Sequence, residues 1–152
     1  PACSSPSPYF RHEFSCGKEI AKARLYVTAR GLFEARINGK RIGNDYFVPG
    51  WTDFSQQIQY MSYDITGSLK SGNNTIGAIL GDGWYCGYLS GRRRNLYGAY
   101  PEFLARLEIL YKDGTSEAIT SGEGWKTATG AMPLRENMPR NLRHWYRNAV
   151  SP

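Results

Sequence analysis

A chain of 152 residues is the size of about one domain, long enough to bury roughly two-thirds of its unfolded surface in a core without metal or disulfide staples. With 41% hydrophobic and 14% aromatic residues, 17 Gly and 8 Pro, it lies outside the disordered class, and no apolar run approaches the about 18 residues of a membrane span. A net charge of +6 would ordinarily point to nucleic acid, but Arg135, Arg140, Arg143 and Arg147 against Glu136 place half of it after Pro133, so the body is only mildly basic.

Residues 1–8 read as an N-terminal extension; no secretory n-region and h-region precede Pro8, and the compartment stays open. Period two governs the body of the chain. Ala23, Leu25 and Val27 alternate with Lys22, Arg24, Tyr26 and Thr28, the pattern of a strand with one face on a core. Phe33, Ala35 and Ile37 alternate with Glu34 and Arg36 up to Asn38-Gly39, whose tolerance of positive φ predicts a type I′ turn with Lys40 to Ile42 folding back. Trp51 is expected to plug the end of the fold, because an indole is too large to leave out of a one-domain core. A strand is predicted over Ile58 to Ile65, followed by one helical turn capped by Asp64 or Thr66 and ended at Gly72, and an Asn73-Asn74 turn leading into a strand over Thr75 to Leu80.

Gly81-Asp82-Gly83 predicts a tight bend, with glycine at positive φ and Asp82 bonding its own neighbouring amides; the strand-to-helix setting of a phosphate loop is not expected. Arg92-Arg93-Arg94 stand in a Gly-rich loop, where a solvated or structural role is expected ahead of anion contact. Phe103, Ala105, Leu107, Ile109 and Tyr111 alternate with Leu104, Arg106, Glu108 and Leu110, and Asp113-Gly114 signals a second hairpin into Glu117 to Thr120. A last strand runs from Trp125 to Gly130. At least seven strands separated by Gly, Asn and Asp turns predict an all-β, antiparallel β-sandwich of jelly-roll or galactose-binding-domain-like type. Cys3, Cys16 and Cys86 include no CxxC pair and no His at ligand spacing, so free thiols are expected ahead of a Cys16–Cys86 bridge, and zinc is not expected.

Seven segments, taken in order, resemble the N-terminal β-sandwich domain of bacterial α-L-rhamnosidases. They are Phe10 to Phe14, Ala23-Arg24-Leu25, Gly31 to Gly39, the Pro-Gly-Trp-Thr-Asp-aromatic run Pro49 to Phe54, Tyr63 to Thr66, Gly72-Asn73-Asn74, and the Gly-Asp-Gly-Trp-Tyr run Gly81 to Tyr85. The resemblance covers about Tyr9 to Gly130 and assigns 9–130 to a sandwich accessory domain. Residues 131–152, AMPLRENMPRNLRHWYRNAVSP, have neither alternation nor a helical stripe where relatives carry a Gly-Glu-x-Tyr-Asp-Ala-Arg segment. They read as a tail from a truncation or frame-shift junction.

The resemblance implies a non-catalytic accessory domain, the catalytic carboxylates residing in a separate helical-barrel domain for which this chain has no room. The implied partners are that catalytic domain and L-rhamnose-containing glycans, with no nucleic acid and no membrane. A sugar site needs an aromatic face and planar polar groups. Trp84, Tyr85, Tyr88, Tyr97 and Tyr100 supply aromatics in one long connection, and Asn44-Asp45-Tyr46 follows the first hairpin. The sugar-binding candidates are therefore Asn44, Asp45, Tyr46, Trp84 and Tyr97. Some domains of this kind bind rhamnose through calcium, and by that resemblance Asn44, Asp45 and the Pro101 carbonyl are the calcium candidates. Against this stand an ordinary turn at Asn44-Asp45 and plain loop packing by the aromatics. Two other readings are a single-stranded nucleic-acid-binding β module, which needs basic and aromatic side chains on one sheet face, and a structural spacer domain.

Overall fold

The computed structural model describes residues 6–89 and 94–129. Cys3, Arg92, Arg93, His144 and the segment 131–152 lie outside the described residues. Nine strands form two antiparallel sheets among the described residues: β1 (Pro8–Cys16), β2 (Ile20–Arg30), β3 (Leu32–Ile37), β4 (Lys40–Arg41), β5 (Met61–Asp64), β6 (Gly72–Gly81), β7 (Glu102–Tyr111), β8 (Ser116–Thr120) and β9 (Lys126–Thr129). One sheet runs β4-β3-β6-β1-β9 and the other β5-β2-β7-β8. The period-two prediction of a β-sandwich is met, and the alternation shows why. Leu25, Val27 and Ala29 face Leu107, Ala105 and their neighbours across the β2–β7 register, and with Phe33, Ala35, Ile37, Ile76 and Leu80 they fill one buried core between the sheets. Each fully buried aliphatic there contributes about 1.5–3 kcal/mol.

The Asn38-Gly39 turn has φ of 50° and 80°, as the type I′ geometry requires. At the second hairpin only Gly114 is left-handed, at φ 83°, and its amide bonds Tyr111 O at 3.0 Å. That is a type I turn closed by a left-handed glycine, a three-residue loop that an Asp-Gly pair also satisfies.

Several predicted details differ. The strand expected over Ile58 to Ile65 is confined to β5, because Thr28 Oγ1 donates to Gln59 O at 2.5 Å and holds the approach as a loop. The helical turn is a 3₁₀ turn, Thr66–Ser68, whose flanking residue Ile65 has no capping side chain; Asp64 instead accepts Thr66 N and Thr66 Oγ1. Asn73-Asn74 is not a turn but part of β6, paired with Ser15 and Phe14. After Gly81 the chain enters a four-residue helix, α1 (Gly83–Cys86), so a strand does lead into a helical turn here, although a single turn lacks the aligned dipoles of a long helix.

Trp51 does not plug the sandwich; it is 52% exposed. The indole that packs on the main core is Trp125, lying 5.8 Å from the Phe103 ring and 5.4 Å from the His12 ring, with its Nε1 on Thr120 O at 3.1 Å. Trp51 sits in a connection that crosses outside the sheet, so its size is met by neighbouring loops instead.

Candidate functional site

Strand β3 is buried on both faces, Leu32 and Glu34 as well as Phe33 and Ala35. An exposed sheet would alternate, so something covers its outer side. Two connections do. Residues 42–60 cross it, with Phe33 N donating to Val48 O at 3.1 Å, and α1 presses against it so closely that a Cβ on Gly83 would stand 2.7 Å from Leu32. Where the two connections meet, they form a second core of Phe54, Tyr85 and Cys86 with Ile58, Trp84 and Tyr97 packed around it.

The sequence candidates separate into two groups. Tyr97 belongs to the second core: its ring lies 5.2 Å from Phe54, edge-on, and 6.3 Å from Tyr85. Trp84 stands at the margin, half-buried, with Trp51 near-parallel to it at 6.4 Å and Phe47 at 6.4 Å. Tyr46, 61% exposed, lies next to Phe47, and the Arg41 guanidinium sits 4.4 Å over its ring. Phe47, Trp51 and Trp84 thus form an aromatic ledge, and the Asn44–Tyr46 turn leads directly into it.

Asp45 is held from two sides. Its backbone carbonyl accepts Arg41 Nη2, and its Oδ2 accepts the Tyr63 hydroxyl at 3.1 Å. Because Tyr63 stands on β5 and Arg41 on β4, the edge strands of opposite sheets, this one residue ties the two sheets at that edge. Burial first, then the Asp45 bond, pushes the Tyr63 phenol up to about 12, so it stays a donor throughout the neutral range. Asn44 is exposed, and its side chain makes no hydrogen bond among the described residues. Pro101 lies beside Gly31, its Cβ 3.2 Å from where a Gly31 Cβ would be. No group of three His, Cys, Asp or Glu side chains that could hold a metal occurs among the described residues. A hard cation here would draw on the Asp45 carboxylate, the Asn44 amide, backbone carbonyls, water and ligand oxygens, a donor set of the kind calcium accepts.

Sequence reading missed Arg41, Phe47 and Tyr63. Glu34, Arg36 and Arg41 follow the outward positions of a predicted hairpin, and three charges on one face of so short a hairpin were a readable sign that they form a network.

Asp82 does not bond its own neighbouring amides through its carboxylate; that group takes the Arg94 guanidinium, so Arg94 has a structural role. Cys16 and Cys86 are both free and buried and lie in different cores. Burial pushes the Cys86 thiol up to about 12 and moves Cys16 the same way.

The outer face of the four-stranded sheet forms a shallow cavity of about 590 Å³ lined by Lys22, Arg24, Tyr26, Arg106, Glu108 and their neighbours. Strand register sets Arg24 between Asp64 and Glu108, and Arg106 bonds Glu108 at 2.7 Å. The basic stripe that a nucleic-acid reading requires is therefore broken by carboxylates.

The model of the family described as Alpha-L-rhamnosidase N-terminal domain matches residues 18–138. An alpha-L-rhamnosidase from Streptomyces avermitilis is 46% identical over 128 residues, which make up 84% of this chain and 12% of that protein. One from Alteromonas sp. is 42% identical over 84% of this chain and 14% of its own length. Among solved structures, Streptomyces avermitilis alpha-L-rhamnosidase complexed with L-rhamnose aligns with a TM-score of 0.80 over 83% of this chain and 12% of that one. The native Aspergillus terreus enzyme aligns at 0.80 with 40% identity, over 86% and 15%. A lectin from Pleurotus ostreatus in complex with GalNAc shares the fold at 0.56 and 23% identity, over 85% and 32%. The chain spans 12–15% of the length of these rhamnosidases, over that share it is 40–46% identical to them and has their sandwich, and it belongs to the alpha-L-rhamnosidase N-terminal domain family.

Proposed function

We propose that the chain is the non-catalytic accessory module of an α-L-rhamnosidase and that its aromatic ledge receives L-rhamnose-containing glycans presented to the catalytic domain. The observation that supports this is the pairing of the near-parallel indoles of Trp51 and Trp84 with a turn carrying Asn44, Asp45 and Tyr46. An aromatic face takes the apolar side of a pyranose, and planar carboxylate and amide groups take its hydroxyls. Calcium would be held by Asn44 and Asp45 with the Pro101 carbonyl, where it would bridge protein oxygens to sugar hydroxyls. Tyr97 supports the ledge from beneath, through Phe54 and Tyr85.

Titration calorimetry of the 152-residue chain with L-rhamnose, with and without calcium, tests the reading. Binding is expected at about 10–1000 μM, strengthened by calcium and abolished by Asp45→Ala or Trp84→Ala. The chain alone is expected to release no rhamnose from an aryl rhamnoside. No heat at millimolar rhamnose, together with a parent enzyme that requires the domain only for solubility, would replace this reading with that of a structural spacer.

A further inference from the structure

Arg41 grips the Asn44–Phe47 turn from outside it. Its Nε lies 3.7 Å from the Glu34 carboxylate, its Nη2 donates to the Asp45 carbonyl, and its guanidinium plane covers the Tyr46 ring at 4.4 Å. Glu34, only 7% exposed, is held from its other side by Arg36 at 2.7 Å, and Arg36 closes the hairpin on Gly39 O at 3.1 Å. Arg36 and Arg41 are direct cross-strand partners. Like charges so placed repel, and the buried carboxylate between them converts the repulsion into a charge-assisted network.

Beyond Arg41 the backbone takes two left-handed steps. Gly43, at φ 71°, packs so tightly that a Cβ would stand 2.5 Å from the Tyr63 ring. Phe47 has φ 58°, a region that a bulky residue rarely occupies and holds only where its surroundings over-determine it. Just before it, Arg41 holds Asp45 and Tyr46, and the Trp84 ring lies 6.4 Å from the Phe47 ring.

We propose that Arg41 is the positioning residue of the ledge: anchored on Glu34, it holds the Asn44–Phe47 turn in its ligand-ready shape before any ligand arrives. This rests on the reading of the ledge as a glycan site. A preformed turn spares the ligand the cost of ordering it. Lysine cannot replace the guanidinium, because a compact ammonium cannot reach a carboxylate and a carbonyl while stacking on a ring. A guanidinium beside Asp45 also opposes a bound cation, so its removal offsets part of the ordering cost for calcium, and calcium affinity falls by less than sugar affinity does.

Arg41→Met, Arg41→Lys and Glu34→Gln, compared with the unaltered chain, test the proposal. In the ligand-free state, ¹⁵N relaxation should show Asn44–Phe47 as rigid as the adjacent strands, with order parameters near about 0.85, falling below about 0.6 in Arg41→Met while β6 and β7 stay unchanged. With ligand, rhamnose affinity should drop about tenfold or more in all three variants, with a smaller loss of calcium affinity and no rescue by lysine. A turn that stays rigid in Arg41→Met overturns the proposal, as does full rescue by lysine or a loss of rigidity spread evenly over both sheets. If the unaltered chain binds no rhamnose, the glycan reading fails on its own, and the ligand-free measurement still decides the role of Arg41.

Discussion

The side-chain amide of Asn38 donates to the side-chain oxygen of Asn74 at 2.9 Å, fastening the turn at the end of β3 to the start of β6. The same Asn38 amide reaches Ser68 O at 3.1 Å, and its oxygen accepts Thr75 N at 3.0 Å. Asn74 is 2% exposed and fully used: its Nδ2 donates to Lys70 O and Gly72 O, and its Oδ1 also accepts Lys70 N. One buried amide therefore satisfies a chain reversal that would otherwise leave backbone groups without partners.

Asn74→Ala is expected to destabilise the chain by about 2–4 kcal/mol, because each polar group left buried and unpaired costs about 1–3 kcal/mol. Urea unfolding, read from the shift in midpoint at constant slope, measures it. A loss below about 0.5 kcal/mol, the range of an ordinary surface substitution, would show that water replaces the amide freely.

Three turns share one device. Asp53, Asp64 and Asp113 each accept both the amide and the hydroxyl of the residue two positions on, Ser55, Thr66 and Thr115. These bonds hold all three carboxylates below their usual range, and at Asp113 the Lys18 ammonium is the largest cause. A carboxylate whose folded pKa is depressed adds stability that is complete above its unfolded value of about 3.9 and is lost as pH falls through the folded value. Unfolding midpoints should therefore hold steady between about pH 7 and 5 and decline below about pH 4. Asp113→Asn should flatten that decline; an equally steep decline in the variant would mean that other groups cause it.

How much of this was readable in advance depended on where each residue's partners lie. Leu25, Val27, Leu107 and Ile109 sit in regular strands, so alternation alone placed them, and Asn38-Gly39 fixed its turn by φ preference. Trp51 was misplaced because a large indole can be buried by a sheet or supported by a loop, and only the path of residues 42–60 decides which. The candidate turn was visible as Asn44-Asp45-Tyr46, but Arg41 and Tyr63 were not. Their meeting at Asp45 depends on β4 and β5 being edges of opposite sheets, and no local pattern encodes that.

Cys86 and Cys16 should behave as inert core thiols at neutral pH. With Cys86 pushed up to about 12 and Cys16 raised, both by burial, almost no thiolate is present at about pH 8, and the thiolate is the reacting form. In a Cys3→Ser chain, a chromogenic disulfide reagent should titrate no thiol in minutes natively and two in denaturant. Fast native reaction of Cys86, located by peptide mapping, would show that α1 opens readily from the second core, and fast reaction of Cys16 would show the same of the main core.

Trp51 and Trp125 provide the sharpest contrast, because the same residue type serves opposite purposes at two places. Trp125 packs on the main core against Phe103 and His12, so Trp125→Ala removes packed area and a satisfied indole donor and should cost about 3 kcal/mol. Trp51 is 52% exposed, with its ring near-parallel to that of Trp84 at 6.4 Å, so Trp51→Ala should cost less than Trp125→Ala, about 1 kcal/mol. If the ledge receives glycan, that nearly neutral change in stability should be accompanied by a loss of rhamnose affinity of about tenfold or more, since an exposed aromatic is held ready for a ligand at little cost to the fold. Thermal unfolding and calorimetry on the two variants separate the roles. If Trp51→Ala proves as destabilising as Trp125→Ala, the ledge is a structural lid on the second core. If Trp51→Ala is both stable and unimpaired in binding, the sugar platform would have to rest on Trp84 and Tyr46 without it.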